Sequence, residues 1–183
     1  MASNSHVEIP EPDDYGPKEV YAFFGLASYY AQILEIGILT MVVAFRCKEL
    51  HITRGEFDAL YAEYNKKTLG QLLMRARKSI SIPNDIDTLL GEALLRRNWL
   101  IHHYFADRSA QFNTEIGRQQ MLSELQSIIR VFGEADHAIE PIYTPVLEEF
   151  GVNEERVKKI IEEMIQEHLS KEITDEGSVL NLL

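Results

Sequence analysis

From Val20 to Phe45 the chain is almost unbroken in its apolar character, yet Gln32 and Glu35 stand in the middle of that run. An apolar segment of this length has few homes. A bilayer is one, but a carboxylate at bilayer depth costs several kcal/mol, which argues against a membrane span. The alternative is a long helix whose apolar residues surround its axis and are covered by other helices on more than one side. The remainder of the chain must supply that cover.

It does so with further helical patterns. Pro17 suits a first helical position, and the first helix is expected to run from there to about Lys48. Thr53 with Glu56 three residues later has the capping-box spacing and opens a helix through Tyr64. Thr68 caps another helix, which contains Leu69, Leu72, Leu73 and Ala76. A break at Ser81-Ile82-Pro83-Asn84-Asp85 precedes a helix expected over about 86–107. Asn113 or Thr114 starts the next, with Met121, Leu122, Leu125, Ile128, Ile129 and Phe132 on one face; Pro141 and Pro145 are expected to end or kink it. A last amphipathic helix begins at Asn153 and reaches about Leu169, with Val157, Ile160, Ile161, Met164, Ile165 and Leu169 as its stripe. No alternating strand pattern is sustained. The expected fold is all-α: an antiparallel helical bundle with a long first helix and an added C-terminal helix. The expected organisation is a flexible acidic arm at 1–16, one helical-bundle domain at 17–170 and a tail at 171–183.

Charge is unevenly placed. The formal net charge is -11, unfavourable for a general polyanion binder. Residues 66–97, however, carry Lys66, Lys67, Arg75, Arg77, Lys78, Arg96 and Arg97 against only Asp85, Asp87 and Glu92. Such a region is either two solvated helix faces or a phosphate-reading surface. Cys47 is the only cysteine, so no disulfide forms within the chain and a reducing compartment such as the cytoplasm is expected. His51, His137 and His168 are isolated, and His102 and His103 diverge on a helix, so no metal site and no cofactor is expected.

The helix expected at 86–107 carries the chemistry. On a helical wheel Leu90, Leu94, Arg97, Ile101 and Tyr104 form one core-facing stripe, and Leu95, Asn98, Trp99, His102 and Phe105 a second. Polar groups interrupt both. A buried arginine needs a partner or a cleft, and Glu35 is a candidate partner. Arg97-Asn98 followed by His102 and Tyr104 reads R-N-x-x-x-H-x-Y. This resembles the R-x(4–6)-H motif of the HEPN superfamily of ribonucleases, and the R-x4-H-x-Y form resembles the toxins of HEPN–nucleotidyltransferase toxin–antitoxin pairs. Lys67-Thr68-Leu69-Gly70 and Arg97–Phe105 together look like a group of bacterial HEPN-like proteins.

The resemblance implies a metal-independent endoribonuclease, a toxin or defence effector, that works as a homodimer with two motif helices lining one cleft. It implies Arg97 and His102 as catalytic residues, RNA as substrate, a nucleotidyltransferase antitoxin as a candidate partner, and Tyr104 as a candidate modification site. Histidine titrates near neutral pH and can exchange a proton with a ribose 2′-OH or a leaving 5′-oxygen. Arginine offers a planar fork to a phosphate. Asn98 can orient the imidazole or contact RNA, while Tyr104 and Trp99 offer stacking surfaces. Arg97 and His102 lie about 140° apart on an ideal helix, so a long side chain, a local distortion or a dimer axis must bring them together. Arg96 and His103, seven apart, align better and form an alternative pair. The competing function is a non-catalytic HEPN-like helical scaffold or regulatory module, with the same polar residues forming an interface network.

Overall fold

The computed structural model describes residues 7–52 and 54–180, and the side chains of those residues except Arg54 and 171–180. It is an all-α helical bundle, 83% helical, with no strand among the described residues. The helices are α1 (Pro17–Leu50), α2 (Arg54–Tyr64), α3 (Leu69–Ser79), α4 (Asn84–His102), α5 (Tyr104–Asp107), α6 (Ser109–Phe112), α7 (Glu115–Glu149) and α8 (Glu154–Leu180). The chain divides into two compact units, residues 1–143 and 144–183.

In the first unit α1 is the central element. By length and composition it would suffice to cross a membrane, but half of its most apolar window is buried in protein. Val20, Phe23, Ala27, Ala31, Leu34, Ile38, Met41 and Val42 enter the core from several sides of the helix. Helices α2, α3 and α4 pack on it, and α7 adds the whole of its expected stripe, from Met121 to Phe132, each residue at most 1% exposed. Pro17 opens α1 as expected, and His51, with φ of 52°, closes it. At α3 the expected Thr68 cap forms a full capping box: Thr68 Oγ1 accepts from the Gln71 N–H, and Gln71 Oε1 accepts from the Thr68 N–H. The expected cap at Thr53 lies outside the described residues. Thr114 opens α7, its hydroxyl accepting from the Gly117 N–H at 3.1 Å.

Residues 7–16 are not a free arm. Val7 and Ile9 pack against the core. Gln126 donates to the Pro10 carbonyl at 3.1 Å and Arg118 to the Tyr15 carbonyl at 2.6 Å, laying the segment along α7. Gly133 makes this approach possible, since a methyl group there would overlap Val7. The acidic composition of the segment hid its two apolar anchors.

Pro141 and Pro145 do not end α7, which continues to Glu149. Each proline removes one helical N–H, but Pro141 and Pro145 are themselves exposed, so solvent reaches the helix where the ladder is interrupted.

The second unit holds the end of α7, a turn and α8. Gly151, with φ of 73°, closes α7: its N–H reaches the Glu148 carbonyl and that of Val152 the Leu147 carbonyl, a Schellman arrangement. Asn153 caps α8 through Oδ1 on the Arg156 N–H at 2.9 Å. The helix continues to Leu180, past the expected end near Leu169. Its apolar stripe is exposed throughout: Val157, Ile160, Ile161, Met164, Ile165 and Leu169 are each at least 42% accessible.

Candidate functional site

Helix α4 brings most of the candidate residues to one place, although not as the wheel predicts. Its first turn carries Asp85 and Asp87, which suit the positive end of a helix. Asp87 also ties it to α3 through the Arg77 Nε at 2.6 Å. Leu90, Ala93 and Leu100 are its buried residues. Arg97 continues that line, four residues after Ala93, with its side chain 25% exposed. The second expected stripe is only partly covered: Trp99 and Phe105 pack against the core, but Leu95 is 72% exposed, and Asn98 and His102 are exposed with it. On the first stripe Ile101 is 46% exposed. Periodicity marks which residues share a face; it does not say which faces receive a neighbour.

The helix expected to run to 107 stops at His102. His103 takes φ of -131° and ψ of -19°, and the short helices α5 and α6 follow. Aromatic packing accounts for the break. Tyr104 sits 1% exposed, its ring edge-on to Trp99 at 5.1 Å. Its hydroxyl donates to the Met121 carbonyl at 3.1 Å. Phe105 packs against Phe24 and Tyr21 of α1. A straight helix through 103 would not aim both rings into this cluster.

Two expectations are corrected here, the stacking roles of Tyr104 and Trp99 and the modification of Tyr104. Tyr104 is on the core side, as its stripe implies, and is 1% exposed; burial raises its pKa well above the tyrosine range, with Glu124 adding to the rise and Arg108 opposing it. Its hydroxyl is not presented to a modifying enzyme, nor its ring to a base. Trp99 is likewise engaged: its indole N–H donates to Asp107 at 2.7 Å, and the Arg108 guanidinium lies 4.9 Å over its ring.

The expected partnership of Arg97 with Glu35 is present. Arg97 Nη2 stands 3.3 Å from Glu35 Oε2, and Nη1 donates to Asn98 Oδ1 at 3.3 Å. Both distances lie at the long end for N–H to O bonds. Other ion-paired arginines are held more closely: Arg77, Arg96 and Arg108 meet carboxylates at 2.6–2.8 Å. A guanidinium has five N–H donors, and two of those on Arg97 are used among the described residues.

His102 occupies the end of α4, exposed, its ring 6.2 Å from that of His103. Among the described residues no hydrogen bond or ion pair joins it to Arg97 or Asn98. Of the alternative pair, Arg96 is tied to Glu92 one turn back at 2.8 Å, and His103 is exposed at the helix break. The structure therefore brings together Glu35, Arg97 and Asn98, and leaves His102 open to solvent on the same helix. Among the described residues no group of three His, Cys, Asp or Glu side chains is placed to hold a metal ion.

Glu35 also borders a recess of about 290 Å³ between α1 and the α2–α3 turn. Gln32, Asn65 and Lys67 supply its other polar groups, and Leu39 and Leu72 its apolar floor. This feature was half legible in the sequence. Gln32 and Glu35, the two polar interruptions of the apolar run, lie three residues apart and open onto the same recess. Asn65 carried no signal, since a turn asparagine is ordinary.

What the fold and site define is an all-α bundle with an open, weakly engaged arginine beside a polar recess. Compared with known proteins, the chain matches no protein-family model, no curated protein and no solved structure.

Proposed function

We propose that this protein is an endoribonuclease of the HEPN type, with Arg97 and His102 as its catalytic residues, acting on RNA as a cytoplasmic homodimer. The observation that carries the proposal is the state of Arg97: half-buried, fixed on a core helix, yet held by two long contacts among the described residues. An arginine whose role was purely structural would be expected to satisfy its fork, as Arg108 does. His102 takes the proton of a ribose 2′-OH. The freed oxygen attacks phosphorus, the bond to the 5′-oxygen breaks, and a protonated group returns a proton to that oxygen. The products are a 2′,3′-cyclic phosphate and a 5′-hydroxyl. Arg97 meets the charge that builds on the phosphoryl oxygens. Asn98, bonded to Arg97, orients the guanidinium and need not contact RNA.

Self-association is supported by Leu95 and Ile101, large apolar side chains left exposed on the same helix as Asn98 and His102. A second copy of α4 against this face would cover them and place two Arg97/His102 sets together, which also answers the angle between the two residues. The test is cleavage of labelled single-stranded RNA by the purified protein in the presence of a chelator. Cleavage abolished by Arg97→Ala and by His102→Ala, with helicity unchanged, supports the proposal; absence of cleavage by the wild-type protein overturns it.

The second reading is a non-catalytic helical scaffold that binds partner proteins. The net charge of -11 favours it, because RNA must approach against that field. A folded dimer that binds protein partners and leaves RNA intact would establish it.

A further inference from the structure

We propose that the recess beside Arg97 is a nucleobase subsite, and that it prefers bases bearing an exocyclic amino group over uracil and thymine. This rests on the nuclease reading for its biological sense, but not for its test. The recess is set at the right place and has the right chemistry. Glu35 belongs to both features: one of its carboxylate oxygens reaches Arg97, and its side chain borders the recess. A nucleotide whose phosphate lay on Arg97 would thus have its base within reach of the cavity. The volume, about 290 Å³, is in the range for one small planar ligand.

The lining explains the preference. Gln32 and Asn65 side chains make no hydrogen bond to other described residues, so two carboxamides, each both donor and acceptor, face the recess unpaired. Carboxamides pair with the amino and ring-nitrogen edge of adenine, and carboxylates accept from the cytosine amino group. Glu35 is an acceptor that a base amino group satisfies and a carbonyl oxygen repels. Ile36, 56% exposed, gives the base an apolar surface, with the buried Leu39 and Leu72 behind it. Lys67, whose Nζ is 4.0 Å from Glu63, is lightly held and free to contact the neighbouring phosphate. The sequence placed Lys67 in the basic segment without indicating what it faces.

The experiment uses the full chain and tetradeoxynucleotides of adenine, cytosine or thymine. These lack the 2′-OH, so binding is read without cleavage. Affinity and the side-chain amide signals of Gln32 and Asn65 are followed by NMR titration. The expected result is roughly 5-fold or tighter binding of the adenine and cytosine oligomers over thymine, with both amide signals shifting. In Glu35→Gln, which replaces the acceptor-only group with one that also donates, that preference falls below about 2-fold, while the double variant Gln32→Leu with Asn65→Leu weakens binding of all three oligomers. Lys67→Ala, which leaves the carboxamides in place, weakens all three oligomers alike and retains the preference. Equal binding of the three oligomers, unmoved amide signals, or no binding at all would overturn the subsite. RNA cleavage is measured separately on the same preparations. Cleavage without base preference removes the subsite and leaves the nuclease standing; base-selective binding without cleavage removes the nuclease and leaves the subsite.

Discussion

Two arginine–glutamate pairs in the first unit have similar exposure and differ in geometry. In Arg97–Glu35 the side chains are 25% and 28% exposed; in Arg108–Glu124 they are 29% and 30% exposed. Arg108 uses its fork fully, with Nε 2.8 Å from one Glu124 oxygen and Nη2 2.7 Å from the other, while its flat face covers Trp99. The hydrogen bond to Glu124 is the main reason its pKa is raised, although burial opposes the rise. Arg97 touches one Glu35 oxygen at 3.3 Å. Solvent exposure therefore does not distinguish the two arginines; the number and length of their contacts do. Arg108 locks α5 and α6 to α7, and Arg97 uses two of its donors among the described residues.

The largest expected effect breaks the comparison at Arg97. Replacing it with alanine should lower RNA cleavage by about 100-fold or more, with the melting temperature lowered less than by Arg108→Ala, as read by a cleavage assay beside thermal unfolding. Arg108→Ala should do the reverse. Losing a bidentate, partly exposed pair costs about 1–2 kcal/mol, visible as a lower denaturation midpoint, while the folded fraction keeps its cleavage rate. Equal losses of activity in both variants would show that the two pairs form one network.

Tyr104→Phe sharpens the contrast next to Arg108. It removes the hydroxyl bond to the Met121 carbonyl and should cost about 1 kcal/mol without loss of cleavage. Burial raises the folded-state pKa of Tyr104 above its unfolded value. The stabilising contribution is thus complete below the unfolded tyrosine pKa of about 10 and declines as pH rises beyond it. Wild type should accordingly lose its advantage over Tyr104→Phe progressively above pH 10 in denaturant titrations. Tyr143, pushed up to about 12 by burial, adds an alkaline dependence that the substitution leaves in place.

The smallest effect concerns a half-buried carboxylate that pairs with no arginine among the described residues. Burial raises the pKa of Asp136, with His137 opposing the rise and Glu140 adding to it. A raised folded-state pKa means that stability is greatest with Asp136 protonated and is lost as pH rises. Asp136→Asn should therefore be slightly more stable than wild type at neutral pH, and the gain should vanish below the unfolded aspartate pKa of about 4. A variant less stable at every pH would show that the carboxylate makes contacts an amide cannot.

Much of the fold was legible where local chemistry decides it. Pro17 at a helix start, the Thr68 cap and the Met121–Phe132 stripe all act within a turn or two of chain, and each appears as expected, with Gln71 completing a capping box at Thr68. The pairing of Glu35 with Arg97 was legible for a different reason: a lone carboxylate in an apolar helix and a lone arginine on a core stripe each require a partner. The break at His103 was not legible. No proline or glycine marks it, and it arises because Tyr104 and Phe105 turn toward rings on α1 and α4. Nor could the α7 and α8 stripes be told apart. Both are amphipathic, yet one is buried and the other exposed along its described length.

By itself the sequence determined where helices begin, which residues share a face, and that Arg97 and Glu35 could not stand alone. Those properties follow from backbone hydrogen bonding, side-chain spacing and the cost of burying charge. Only the tertiary structure decided which faces are covered, where the motif helix stops, and that Arg97 meets its partner through one long contact beside an open recess. Those outcomes depend on residues far apart in the chain, 62 positions for Arg97 and Glu35, and no local pattern encodes the distance at which such residues come to rest.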